Sequence, residues 1–324
     1  MLNALGFLMN EGDNKPGFLE MIRAPFLFAI VVPLVSGTLV SVTISYSFRP
    51  INFVLVFIIG ISLHITTNVY NDIYDTLQGA DNKKSMKSEF SGGSGIIVNH
   101  PELLSKMYLI ARSGIAVGLV CAFLLTLLID RTLWLPLWIV IGISVFLSKY
   151  YTAEPFKFAY RGMGEMVVVI GFGPLAVLLA SIGQGIGLHP ILLAISPITG
   201  FGTLFIVWMG EMVDYPTDIK GSKIGMVARL GFHKSKYALT IVHIIPLLNI
   251  LLVIFIYLNP GWPLLIAFIP HAVILPKMWS KFKEMDGYDQ KIISQSRLNF
   301  KLYLSFSIFL MLGYTIDMIF AMFS

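Results

Sequence analysis

The chain has 324 residues, 56% of them hydrophobic and 13% charged, with a formal net charge of +5. A water-soluble globular chain carries about 25% charged residues, so a soluble multidomain enzyme is excluded. Residues 24–48, 166–210 and 237–276 contain no Asp, Glu, Lys or Arg. About 20 apolar residues cross a bilayer as a helix, and each of the last two stretches has room for two crossings.

In chain order, hydropathy and breakers predict crossings near 24–47, 51–77, 104–129, 132–150, 163–184, 190–216, 237–257, 262–280 and 301–322. Short joints at Arg49-Pro50, Asp130-Arg131, Gly183 to Pro190 and Asn259-Pro260-Gly261 lie on one side of the membrane. The other side has the segment 1–22 and the longer loops 78–103, 151–162, 217–236 and 281–300. Assigned to the nearest loop, 21 of the 23 Lys and Arg fall on that side; only Arg49 and Arg131 do not. The positive-inside rule then puts the N-terminus and long loops in the cytoplasm and Ser324 outside. A miscount by one helix would scramble this alternation. The fold class is therefore all-α: a polytopic membrane protein of about nine helices bundled around a central cavity. The basic excess is a topology signal, so no nucleic-acid partner is expected. No cleavable leader is expected, because the first apolar run is too long and begins too late. The one cysteine, Cys121, lies in an apolar run and has a packing role.

Within this frame the acidic residues are few, and carboxylates in membrane segments are functional candidates by default. The second helix ends in Asn68-Val69-Tyr70-Asn71-Asp72-Ile73-Tyr74-Asp75, where Asn68, Asp72 and Asp75 share one helical face. Asp81 follows Gly79. The sixth ends in Glu211-Met212-Val213-Asp214-Tyr215-Pro216-Thr217-Asp218, where Glu211, Asp214 and Asp218 again share a face. Both ends face the cytoplasm, and both precede basic loops with Lys83, Lys84 and Lys87, or Lys220, Lys223 and Arg229. Several carboxylates on one face repel one another. A divalent cation relieves that, and oxygen donors at a cytoplasmic site favour magnesium, which takes one or two carboxylates plus phosphate oxygens. Lysines nearby oppose a bare metal site but suit a metal-bridged diphosphate.

These stretches carry a family resemblance. Asn68 to Asp81 resembles the first aspartate-rich motif of the UbiA superfamily of intramembrane prenyltransferases, and Asp214 to Gly231 resembles the second. Tyr151-Thr152-Ala153-Glu154-Pro155, Tyr160-Arg161-Gly162-Met163-Gly164-Glu165 and Gly171-Phe172-Gly173-Pro174 look like the block of the 1,4-dihydroxy-2-naphthoate prenyltransferase (menaquinone) branch, and Arg23-Ala24-Pro25-Phe26 like the entry to helix one. The chain departs at Gly79, where the family often has a third Asp, at Glu211-Met212-Val213, where the branch is Asn-rich, and at Pro216, a residue that kinks or ends helices.

The resemblance implies a single transmembrane prenyltransferase domain over 1–324, with 78–103 and 217–236 as cytoplasmic cap loops. It implies transfer of an allylic isoprenyl group from a prenyl diphosphate to an aromatic quinone precursor, with two Mg2+ ions and loss of diphosphate. Asp72, Asp75, Asp214 and Asp218 are the expected metal ligands, supported by Asn68, Asp81 and Glu211. Lys83, Lys84, Lys223 and Arg229 are expected on the diphosphate, and Tyr151, Lys157, Arg161 and Glu165 at the acceptor. Membrane lipid is the surrounding partner, no obligatory protein partner is evident, and the expected location is a prokaryotic plasma membrane.

The loop containing Ser91-Gly92-Gly93-Ser94-Gly95 is expected to cap the diphosphate with backbone N–H groups. His64, two turns before Asp72, is expected to satisfy an interhelical hydrogen bond in preference to relaying a proton. Asp317 is expected near the outer face or paired within the bundle. Rival readings are a membrane terpene cyclase or a prenyltransferase with a non-aromatic lipid acceptor, and a cation-coupled transporter. The last would place its carboxylates near the bilayer midplane.

Overall fold

The computed structural model describes residues 15–81, 93–257 and 261–323. Among them, nine helices are long and apolar enough to cross a membrane: α1 (Ala24–Ser45), α2 (Pro50–Leu77), α3 (Pro101–Thr126), α4 (Arg131–Tyr150), α5 (Gly164–Gly183), α6 (Pro190–Lys220), α7 (Phe232–Tyr257), α8 (Trp262–Lys283) and α9 (Ile292–Phe323). No strand occurs among the described residues. The all-α membrane fold expected from hydropathy is the fold observed.

Three boundaries differ from expectation, for identifiable reasons. α9 starts at Ile292 rather than near 301. Its first turns carry Gln295, Ser296 and Asn299, all buried against protein. Asn299 Nδ2 donates to the Phe205 carbonyl at 2.8 Å, and His243 Nε2 lies 2.9 Å from Asn299 Oδ1. Hydropathy detects contact with lipid and misses polar residues paired inside the bundle. α7 likewise starts at Phe232, its buried Lys236 donating to the Phe282 carbonyl at 3.1 Å. α6 continues through Pro216 to Lys220. A proline removes one ladder hydrogen bond, yet the helix continues past it, so Glu211, Asp214 and Asp218 all lie on α6.

α2 packs most extensively on α3, and α6 on α7. α9 returns to α1, where Phe26 meets Phe300 and Phe28 meets Tyr303, each pair edge-on with ring centroids 6.3 Å apart. α5 and α6 meet through glycines. A Cβ on Gly173 would lie 2.8 Å from the Ser196 carbonyl oxygen, and one on Gly200 2.5 Å from that of Val169. Small residues of this kind let membrane helices approach closely. At the same place Gly171–Leu175 forms a π-helical turn, with Gly173 at φ −104°, ψ −106°. It brings Phe172 to the wall of a cavity bounded by α1, α2, α4, α5 and α6.

Candidate active site

The cavity encloses about 1370 Å3, including its open mouth. Its interior is mostly apolar, with Phe26, Ile30, Leu63, Val168, Phe172 and Leu179 among its walls. Its polar rim collects side chains from both acidic motifs: Asn68 and Asn71 of α2, and Glu211, Asp214 and Asp218 of α6, together with Arg23, Tyr151 and Lys223.

The two motif ends converge. Lys223 Nζ stands 2.8 Å from Asp75 Oδ2 and 4.0 Å from Asp218 Oδ1, joining residues 148 positions apart. The turns beyond the motifs touch, since a Cβ on Gly221 would lie 2.5 Å from Ala80 Cα. Asp75 also accepts from Tyr160 Oη at 2.8 Å and Asn71 Nδ2 at 3.1 Å. Burial alone would lower the Lys223 pKa, but Asp218 and Asp75 outweigh it and hold the ammonium well above the ordinary lysine range. The Tyr160 hydroxyl is pushed up by burial and then by Asp75, and that of Tyr151 by burial and then by Glu211.

The remaining expected residues are distributed unevenly. Asp72 is buried behind the rim, where Oδ1 accepts the Ser94 N–H at 3.0 Å and lies 3.9 Å from Arg23 Nη1. The Ser94 N–H is thus committed to a carboxylate of the protein rather than held free for a diphosphate; Ser91 and Gly92 lie outside the described residues, as do Lys83 and Lys84. Asp81 sits against Gly93, and its N–H donates to the Asp75 carbonyl at 3.0 Å. Of the four acceptor-site candidates only Tyr151 lines the cavity. Lys157 pairs with the exposed Glu154 at 2.6 Å. Arg161 is exposed, and its carbonyl accepts from Arg229 Nη2 at 2.7 Å while Arg229 Nε donates to the Ile224 carbonyl. Arg229 thus ties two loops together outside the cavity. Glu165 is buried, and its Oε1 accepts the Met226 N–H. Asp317 is paired as expected, accepting the Gly261 N–H at 2.7 Å.

Sequence reasoning missed two rim residues and misjudged a third residue. Asn71 lay inside the first motif, and its position three residues after Asn68 would have placed it on the same face. Arg23 was visible only as a family entry signal. It adopts φ 55° before α1 and reaches the rim. His64 does not make the interhelical hydrogen bond expected of it. It lines the cavity, and its Nδ1 is buried without a partner.

The donors suit magnesium in chemistry, since every one is an oxygen and the buried Asp72 Oδ2 has no hydrogen-bond partner. No three His, Cys, Asp or Glu side chains among the described residues form a ready-made cage. Magnesium commonly completes its shell with substrate phosphate and water, so a rim of separated carboxylates fits a metal that arrives with a diphosphate.

Comparisons with known proteins fit this geometry. The chain is 26% identical over 69% of its length, and 69% of the relative's, to a 2-carboxy-1,4-naphthoquinone phytyltransferase of Synechocystis. It is 29% identical to a 1,4-dihydroxy-2-naphthoate octaprenyltransferase of Mycobacterium tuberculosis, over 53% of this chain and 56% of that one. A solved UbiA homolog from Archaeoglobus fulgidus, bound to DMAPP and Mg2+, superposes with a TM-score of 0.55 at 14% identity, covering 92% of this chain and 99% of that one. Residues 30–304 match the UbiA prenyltransferase family. The chain belongs to that family and is a membrane prenyltransferase.

Proposed function

We propose that this enzyme moves an allylic isoprenyl group from a prenyl diphosphate to an electron-rich aromatic quinone precursor, with 1,4-dihydroxy-2-naphthoate as the representative acceptor, and that it depends on magnesium. The observation that carries the reading is a cavity whose rim brings the first motif's amides Asn68 and Asn71 together with the second motif's carboxylates Glu211, Asp214 and Asp218 and with Lys223, above an apolar interior. The relatives named for naphthoate and naphthoquinone substrates support the acceptor class.

In this reading the rim oxygens of Asn68, Asn71, Glu211, Asp214 and Asp218 would hold magnesium for the diphosphate head, with Asp72, Asp75 and Asp81 behind them. Bound magnesium supplies positive charge to the leaving diphosphate. Lys223 adds a cation at the same point, and Arg23 another at the rim. The allylic C–O bond breaks with its electron pair going to diphosphate, a ring carbon of the acceptor bonds the prenyl carbon, and a proton or carbon dioxide leaves the ring. The apolar walls keep water from quenching the allylic cation. The rim opens to the cytoplasm, the side that carries 21 of the 23 basic residues.

The test is incubation of the purified protein with geranylgeranyl diphosphate, magnesium and a panel of aromatic acceptors, read by mass. The expected product is an acceptor carrying one prenyl group. Its yield should fall at least about a hundredfold in D72N, in D214N and in excess chelator, because charge stabilisation at a leaving group is worth factors of this size. Turnover indifferent to all three would overturn the mechanism, and a cyclised hydrocarbon formed without acceptor would replace it with cyclisation.

A further inference from the structure

His64 belongs to neither acidic motif, yet it sits in the cavity wall on the same face of α2 as Asn68 and Asn71. Four residues separate it from Asn68 and seven from Asn71. At 1.5 Å per residue the imidazole lies roughly 6 to 10 Å deeper than these rim amides, a depth comparable to a fused two-ring aromatic. The side chain is more than nine-tenths buried, at 8% exposure, and makes no hydrogen bond with the protein. Its Nδ1 is sealed off without a partner, which leaves Nε2 as the nitrogen available to a molecule in the cavity. Phe172 packs edge-on against the ring, centroids 4.9 Å apart at 76°, and holds its plane. That phenylalanine is placed by the π-helical turn of α5, and such turns often mark functional sites. Ser144 and Ser148 of α4 line the same cavity.

An imidazole enclosed by hydrocarbon with no partner is unfavourable. A prenyl chain has no hydrogen-bonding group and leaves both nitrogens unpaired; an oxygen substituent on an aromatic ring gives the reachable Nε2 a partner. We propose that His64 is a specificity-determining contact for the acceptor, hydrogen-bonding a ring hydroxyl or carbonyl oxygen at the acceptor's deep edge. The ring carbon that receives the prenyl group then faces the rim. This rests on the aromatic-acceptor reading above and adds to it which end of the acceptor enters first and what holds it.

The experiment measures KM for each substrate separately, using the full chain in detergent with geranylgeranyl diphosphate and magnesium. The acceptors are 1,4-dihydroxy-2-naphthoate and its two analogues lacking one hydroxyl each. H64F should raise KM for the diol about tenfold, the loss of one hydrogen bond, and leave KM for the prenyl diphosphate unchanged. H64Q, which keeps a hydrogen-bonding group, should raise it less, and it carries the test alone if H64F does not fold. One mono-hydroxy analogue should bind wild type about as weakly as the diol binds H64F, and should be indifferent to the substitution. An unchanged acceptor KM, or a change confined to the prenyl diphosphate, would overturn the assignment while leaving the aromatic reading intact. Failure of wild type to prenylate any of the three would remove the aromatic reading and this contact with it.

Discussion

Lys223 shows what a motif can and cannot disclose at the scale of single residues. The sequence placed it after the second acidic motif as a diphosphate contact. It could not disclose Asp75 as a partner, because nothing in one chain links positions 148 apart. Arg229, nominated beside it on the same motif, is instead committed to the Arg161 and Ile224 carbonyls. Removing one member of a buried ion pair strands the other, at a cost of about 3–5 kcal/mol. Asp75 keeps Asn71 and Tyr160, so K223M should lose about 3 kcal/mol, the low end of that range, measured as unfolding in detergent, and K223R should lose much less. The raised Lys223 pKa also sets a pH dependence. Its stabilisation is complete below the ordinary lysine value of 10.5 and is lost as pH rises through the higher folded value. Tyr160, raised from 10.0, acts in the same direction. The melting temperature of wild type should therefore fall more steeply than that of K223M above pH 10.5, and parallel curves would contradict the pairing.

At the scale of elements, the legible features were those that contact lipid. Long charge-free runs and alternating loop charge gave the number of helices, because lipid imposes both. Buried polar residues on α9 and a proline on α6 were read as helix ends, since nothing in the sequence around Asn299 reveals the Phe205 carbonyl and His243 that pair with it, and nothing around Pro216 that the helix continues. The glycine contact between α5 and α6 was equally hidden, and it makes a direct prediction. G200A would press a methyl group to 2.5 Å from a backbone carbonyl that cannot rotate away. It should destabilise by about 1–3 kcal/mol, the usual range for overpacking. Gly142 on α4 has open space around it. There G142A should be neutral or stabilising by up to about 1 kcal/mol. Equal thermal shifts in the two variants would show that the contact is loose.

The orientation proposed for the whole molecule from its loop charges is directly testable. In a C121S background, Q290C should react with a membrane-impermeant maleimide only from the cytoplasmic face, and L188C, at a residue 69% exposed in the α5–α6 joint, only from the opposite face. The reverse pattern would invert the topology. The cavity, by contrast, was legible only through its rim. Its depth and its imidazole depend on which faces α1, α2, α4, α5 and α6 turn inward, and hydropathy carries little record of that choice.

The contact between α1 and α9 has a consequence for biogenesis. α1 packs Phe26 and Phe28 on Phe300 and Tyr303 of α9, about 270 residues further along the chain. Synthesis at about 5–20 residues per second separates the two by on the order of ten seconds to a minute. During that interval the surface of α1 that later meets α9 must shelter against lipid tails or a membrane chaperone, although the helices that bound the cavity, α1, α2, α4, α5 and α6, have already been made.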